Sequence, residues 1–257
     1  MGSVENILDV KNLSVSYGEK NIIRDVNFSV KRGEILLIVG ESGSGKSTIL
    51  KSIDGLLSVG GKVSGKIFFD GRDITHLAGE ERRKISGASI AMIFQNAGAS
   101  FCPIRTVGAQ IFESVQAHKD WTREIFLERA GKILKELKLD ENILDEYPFK
   151  LSGGMAQRAG ILAAMILEPK LILADEPTSA LDVVTQVGVV KELFRLRKVH
   201  GVSIVMVTHQ LEIARRMADK ILIMRHGSPV EFGTKEEIFN APKENYTRQL
   251  IQLSEVA

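Results

Sequence analysis

The sequence predicts an α/β fold with a mostly parallel sheet, an antiparallel β subdomain at its N-terminal end and an inserted α-helical subdomain. Three observations carry this expectation. An apolar run, Ile35 to Val39, leads straight into a glycine-rich loop and a helix-period segment, the order strand, loop, helix. Two further apolar runs, Leu171 to Ala174 and Ser203 to Val207, flank a helical stretch, as in a βαβ unit. Between them, from about Ala97 to Gly160, the strand signal vanishes.

In chain order, residues 7–17 alternate apolar and polar from Val10 onward, which suits a strand with one wet face, and Ile23 to Val30 repeats the pattern. Glu34 to Val39 is continuously apolar after its first residue, as expected of a parallel strand buried on both faces. After the glycines, Ile49, Leu50, Ile53, Leu56 and Leu57 fall at helical spacing. Val107 to Val115 and Arg123 to Leu137 read as helices, and Ser152 is a natural N-cap for another running to Leu167. A helix near Val183 to Val199 follows, then a hairpin of Lys220 to Met224 and Pro229 to Phe232. The expected organisation is one unit over residues 1–257, with the core and antiparallel sheet in 1–96 and 161–257 and the helical insertion in 97–160.

With 257 residues, 44% hydrophobic and 26% charged, the chain can bury a core without disulfides or a metal staple. Its 34 basic and 32 acidic side chains leave a net +2, which argues against a nucleic-acid partner. A single cysteine, Cys102, allows no internal disulfide and points to a reducing compartment or to indifference to redox. The longest uninterrupted apolar run, Ile161 to Leu167, is far short of the roughly 20 residues that span a bilayer. No secretory signal is visible at the start, so membrane contact is expected through partners.

Gly40-Glu41-Ser42-Gly43-Ser44-Gly45-Lys46-Ser47-Thr48 places Gly, four residues, Gly, Lys and Ser between a buried strand and a helix. In such a loop successive backbone N–H groups turn inward around phosphate oxygens, and the helix N-terminus adds about half a positive charge. Lys46 would bridge the β- and γ-phosphates and the Ser47 hydroxyl would ligate Mg²⁺. Leu171 to Ala174 ends in two carboxylates. Asp175 is the candidate to hold Mg²⁺ through water, and Glu176 the candidate to polarise an attacking water. Leu151-Ser152-Gly153-Gly154-Met155-Ala156-Gln157-Arg158 combines an N-cap with two glycines that leave backbone N–H groups open to an anion.

These motifs, in this order, resemble those of the ATP-binding cassette (ABC) transporter ATPases, and the likeness runs from about Leu8 to Leu250. The resemblance implies a phosphate-loop NTPase core that binds ATP with Mg²⁺ and hydrolyses it between two facing cassettes. It implies that Ser152, Gly153, Gly154 and Gln157 act as a signature motif on the ATP of the opposite protomer. Tyr17 matches the aromatic residue that stacks on adenine. Gln95 matches a glutamine that ligates Mg²⁺, with Ser47 and Asp175, and links the site to membrane subunits. His209 matches the switch histidine that orients the catalytic carboxylate, and Asp182 the aspartate of the dimer-interface loop.

Narrower features resemble the oligopeptide, dipeptide and nickel importer branch: Tyr147-Pro148-Phe149 before the signature, Ala174 to Val183, and Tyr246-Thr247-Arg248 near the end. Peptide-type members often continue beyond that last motif with several cysteines. The stop at Ala257 therefore leads us to expect a nickel-type subunit, with peptide import as the alternative. The implied partners are two transmembrane permease subunits, a second ATPase subunit, forming a heterodimer or else a homodimer, and indirectly an extracytoplasmic binding protein. The implied location is peripheral, at the cytoplasmic face of the membrane. A soluble cassette acting on DNA or ribosomes is the rival, disfavoured by length and charge. Asn96-Ala97-Gly98, Phe101-Cys102-Pro103 and Gln210 depart from the usual pattern of the family.

Overall fold

A computed structural model describes residues 5–256, with side chains as far as Ser254. Strands β1 (Asn6–Tyr17) and β2 (Lys20–Lys31) form a long antiparallel hairpin. The chain then enters β3 (Ile35–Gly40), in which every residue is buried, and leaves it through the glycine loop into α1 (Lys46–Asp54). It returns to the first sheet as β4 (Gly61–Phe69) and β5 (Arg72–Asp73), giving the strand order β2-β1-β4-β5. A short helix α2 (Gly79–Arg83) leads to β6 (Ile90–Ile93).

The helical stretch comprises α3 (Ala97–Ser100), α4 (Val107–Gln116), α5 (Arg123–Glu136), two 3-10 turns and α6 (Gly153–Met165). Then follow β7 (Leu171–Asp175), α7 (Val183–His200), β8 (Ser203–Thr208), α8 (Leu211–Met217), β9 (Lys220–Arg225), β10 (Ser228–Thr234), α9 (Lys235–Asn240) and α10 (Asn245–Val256). The second sheet has the order β10-β9-β3-β8-β7-β6, parallel except for β10. The expected α/β class, antiparallel N-terminal sheet and late hairpin are all present.

Alternation along the central strands sends side chains into two different cores. Leu36 and Ile38 of β3, Leu171 and Leu173 of β7, and Val205 and Val207 of β8 pack with α1 and the antiparallel sheet. Ile35, Leu37, Ile172, Ala174, Ile204 and Met206 pack instead with the helical layer, around Phe126, Leu134 and Leu162. Both faces are covered, so apolar residues occupy every position rather than alternate ones. The parallel registers Val39↔Thr208, Asp175↔Val207 and Ile93↔Ala174 bring the carboxyl ends of β3, β8, β7 and β6 level. That edge is where ligands bind in such sheets.

The helix that follows the glycine loop ends in a buried carboxyl. Burial pushes Asp54 up to about 6, opposed by a hydrogen bond from Ser86 and the charge of Arg82. Because the folded state raises this acid above its unfolded value near 4, its contribution to stability is fully present below pH 4 and lost as pH climbs through 6. Urea unfolding at pH 4 and pH 7.5 should show Asp54→Asn gaining about 2–3 kcal/mol on the parent protein over that interval. A pH-independent difference between the two proteins would contradict the assignment.

Candidate functional site

The glycine loop is shaped by what surrounds it. Gly45, the residue before α1, has φ of +91°, and a Cβ there would collide with the Ile23 side chain of β2. Only glycine lets the hairpin come this close while the helix opens toward the loop. Lys46 is buried, and its Nζ donates to the carbonyls of Gly40 (2.8 Å) and Glu41 (2.7 Å). Burial lowers its proton affinity, while the nearby carboxylates of Glu176, Asp175 and Glu41 raise it. The ammonium group therefore has two neutral acceptors and three acids around it.

Ser47 Oγ donates to Asp175 Oδ1 at 2.6 Å, joining the first turn of α1 to the end of β7. Burial raises the Asp175 pKa, and the Ser47 hydrogen bond works against that rise. Hydroxyl and carboxylate oxygens suit a hard divalent cation, and the pair lies at the base of the phosphate loop. Among the described residues no group of three or more His, Cys, Asp or Glu could hold a metal ion, so water and phosphate oxygens would complete the shell. The adjoining cleft, about 370 Å³, is lined by Ile22, Gly43, Lys46, Ser47, Gln95 and Glu176 among others. Its size and its donors fit a polyphosphate with Mg²⁺.

Glu176 sits in the left-handed region, at φ +43°, a conformation that costs a non-glycine residue about 1–3 kcal/mol. Its amide donates to Val207 O (3.0 Å) and its carbonyl accepts from Ser179 N (3.2 Å), so the β7–β8 pairing holds it there. The result aims the carboxylate into the cleft, with Oε2 3.3 Å from His209 Nδ1 at the end of β8. His209 is half-exposed. Gln95 follows β6 and faces the same cleft.

Ser152 caps α6, accepting the Met155 amide at 3.3 Å, which leaves Gly153 and Gly154 on the open first turn. Neither glycine lines the cleft of Lys46. Gln157 does not share that opening. It is buried, its amide donates to Phe94 O (3.3 Å), and its carbonyl accepts from Ala97 N (3.4 Å). It follows Gly153 by one turn on the same side of α6, where the segment after Gln95 covers it and it ties the helix to that segment. Asp182 caps α7 through Val184 N (3.1 Å) and Thr185 N (3.0 Å). Tyr17 is half-buried at the end of β1, against Gly61 and away from the lining of the cleft.

Two participants carry no signal that singles them out in the sequence. Ile22 lines the cleft from the irregularity of the hairpin between the pairs Val15↔Ile23 and Ser16↔Asn21. Arg158, quoted only as the end of a motif, donates Nε to both Glu192 oxygens, at 3.0 and 2.8 Å, and so locks α6 to α7. A Cβ on Gly188 would lie 3.2 Å from its Nη2, so the glycine leaves room for the guanidinium.

Comparison with known proteins agrees with this geometry. A family model described as ABC transporter matches residues 23–179. The chain is 37% identical over 249 residues to the metal-staphylopine import system ATP-binding protein CntD of Staphylococcus aureus, covering 95% of this chain and 92% of the relative. It is 39% identical to the dipeptide transport ATP-binding protein DppD of Escherichia coli, covering 96% and 77%. A dimeric ATP-binding cassette in a post-hydrolysis state, bound to ADP and Pi, superposes with a TM-score of 0.78 at 30% identity, covering 89% and 98%. CbiO1 of Clostridium perfringens, part of the transporter complex CbiONQ, gives 0.79 at 26% identity, with 98% of both chains covered.

Breaking the pair between α6 and α7 should be costly because it strands a half-buried charge. We expect Glu192→Ala to lose about 2–4 kcal/mol in denaturant unfolding, more than a surface pair yields. A loss below about 0.5 kcal/mol would place this pair with ordinary surface contacts.

Proposed function

The chain belongs to the ABC transporter family and is an ATP-hydrolysing subunit of it, and on that footing we propose that it drives import of a small metal chelate, nickel included. The observation that carries the mechanism is the convergence on one cleft of Lys46, Ser47, Gln95 and Glu176, with His209 behind Glu176. The glycine loop would wrap the phosphates with its backbone N–H groups, and Lys46 would exchange its two carbonyls for β- and γ-phosphate oxygens. Ser47, Asp175 and Gln95 would hold Mg²⁺, which when bound supplies neutralising charge between the phosphates.

Glu176 then takes a proton from a water placed in line with the γ-phosphorus. The water oxygen bonds to phosphorus, the β–γ bridging bond breaks, and ADP and phosphate result. His209 holds the carboxylate in position from the end of β8. Because Ser152, Gly153 and Gly154 stand outside their own cleft, they are assigned to the ATP of a facing subunit, with Asp182 beside that interface. A homodimer or a pair of unlike cassettes would each complete two sites.

No helix among the described residues is long and apolar enough to cross a membrane. We infer from the importer relatives that the chain works with two permease subunits, which it would meet at the cytoplasmic face, with a binding protein delivering cargo from outside. Similarity over nearly all of the metal-staphylopine relative supports a metal chelate. The 39% identity to a dipeptide subunit supports a second reading, short-peptide import.

Two measurements test this. Glu176→Gln should bind ATP as the parent does and hydrolyse it about 10²- to 10⁴-fold more slowly, followed as phosphate release. Parental turnover in that variant would remove Glu176 from the chemistry. In proteoliposomes holding both cassettes and both permeases, binding protein loaded with a nickel chelate should stimulate ATP hydrolysis. Stimulation by dipeptide-loaded protein alone would assign the peptide reading.

A further inference from the structure

Tyr246-Thr247-Arg248 marks the branch in the sequence, and nothing in the hydrolysis mechanism uses it. In the structure these residues open α10 and dock it. Arg248 closes the preceding turn by donating to Pro242 O (3.0 Å), Lys243 O (2.7 Å) and Asn245 Oδ1 (2.6 Å). Glu231 of β10 accepts the amides of Lys243 (2.8 Å) and Glu244 (3.2 Å). Thr247 is fully buried. The third residue points elsewhere. The Tyr246 ring is half-buried under the Arg225 guanidinium, 4.5 Å from its centroid, and its hydroxyl donates to Glu41 Oε1 at 3.2 Å.

Glu41 is the first residue of the loop after Gly40. Its carbonyl accepts from Lys46 Nζ (2.7 Å) and from Ser44 N (3.2 Å), so it shapes the loop from within. Its carboxylate is carried on the loop that lines a site which must accept several negative charges, and a carboxylate left free to turn toward them would repel them. We propose that Tyr246 is a positioning residue for nucleotide binding: it turns the Glu41 carboxylate toward the C-terminal helix and away from the incoming phosphates. This rests on the reading of the glycine loop as the ATP site. Burial and the bond to Glu41 both raise the Tyr246 pKa, so the hydroxyl keeps the proton it donates. The same helix sets Leu250 and Ile251 against the core containing Ile213 and Met217 of α8, which directly follows His209. Through α10 the Tyr246 contact with the glycine loop is joined to the helix that follows His209 and Gln210.

The test uses the full chain and a fluorescent ATP analogue. Tyr246→Phe keeps the ring and removes the hydroxyl. We expect its Kd for ATP to rise roughly 3- to 10-fold, with kcat at saturating ATP in the assembled transporter within about twofold of the parent. In a Glu41→Gln background the same change should cost less than about twofold, because the charge to be restrained is gone. Unchanged affinity in Tyr246→Phe, or an equal loss in both backgrounds, overturns the proposal. Should Tyr246→Phe lower the unfolding temperature appreciably, the double variant Tyr246→Phe/Glu41→Gln decides: it recovers the parental ATP affinity if the freed carboxylate repels the phosphates, and an affinity as low as that of Tyr246→Phe alone overturns the idea. Lys46→Ala is the separate control: if it binds ATP like the parent, the glycine loop is not the ATP site, a failure distinct from that of Tyr246.

Discussion

A buried ammonium group sets the terms for this molecule. Lys46 opens α1 at the end of a strand with no exposed residue, and its partners are two backbone carbonyls, with three acids at longer range. Such a cation is tolerable only where the backbone is bent to meet it, and the bend is what the glycine loop provides. Everything else at the site is arranged around that cation. Asp175 reaches it through Ser47, Glu176 is held in a strained conformation opposite, and Gln95 closes the remaining side.

The positions of these groups follow from strand order. With β3 between β9 and β8, and β7 next to β8, the residues after β3, β7 and β8 come to one edge without long excursions. The strain at Glu176 is carried by its amide bond to Val207, an extension of the β7–β8 ladder. A stiff sheet can hold a residue in a conformation that a loop alone would release, and the carboxylate we propose as the base would then need no reorganisation when nucleotide arrives.

The helical layer is built differently. To its apolar packing on the sheet it adds polar ties: Gln157 to Phe94 and Ala97, and Arg158 to Glu192. These join the capped turn at Ser152 to the segment after Gln95 and to the helix that Asp182 caps. A movement of Gln95 or Asp182 is thereby connected to the glycine pair, which suits a switch that opens and closes around ATP.

What the sequence alone determined is local chemistry: the glycine loop, the carboxylates ending β7, the histidine ending β8 and the N-cap of α6. Each depends on short-range spacing, the first three also on the continuously buried strand before them, and the continuous apolar runs of β3, β7 and β8 reveal the two-faced burial. Only the tertiary structure decided which of these groups act together. The segment after Gln95 packed over Gln157 and buried it, although the chain places it one turn from Gly154 on the same side of α6. Strand pairing brought Ile22 to the cleft and left Tyr17 beside Gly61. Arg158 and Glu192, and Tyr246 and Glu41, meet across 34 and 205 residues of chain. Contacts of that span leave no periodicity or spacing to read, because they are set by how whole elements pack and not by the residues between them.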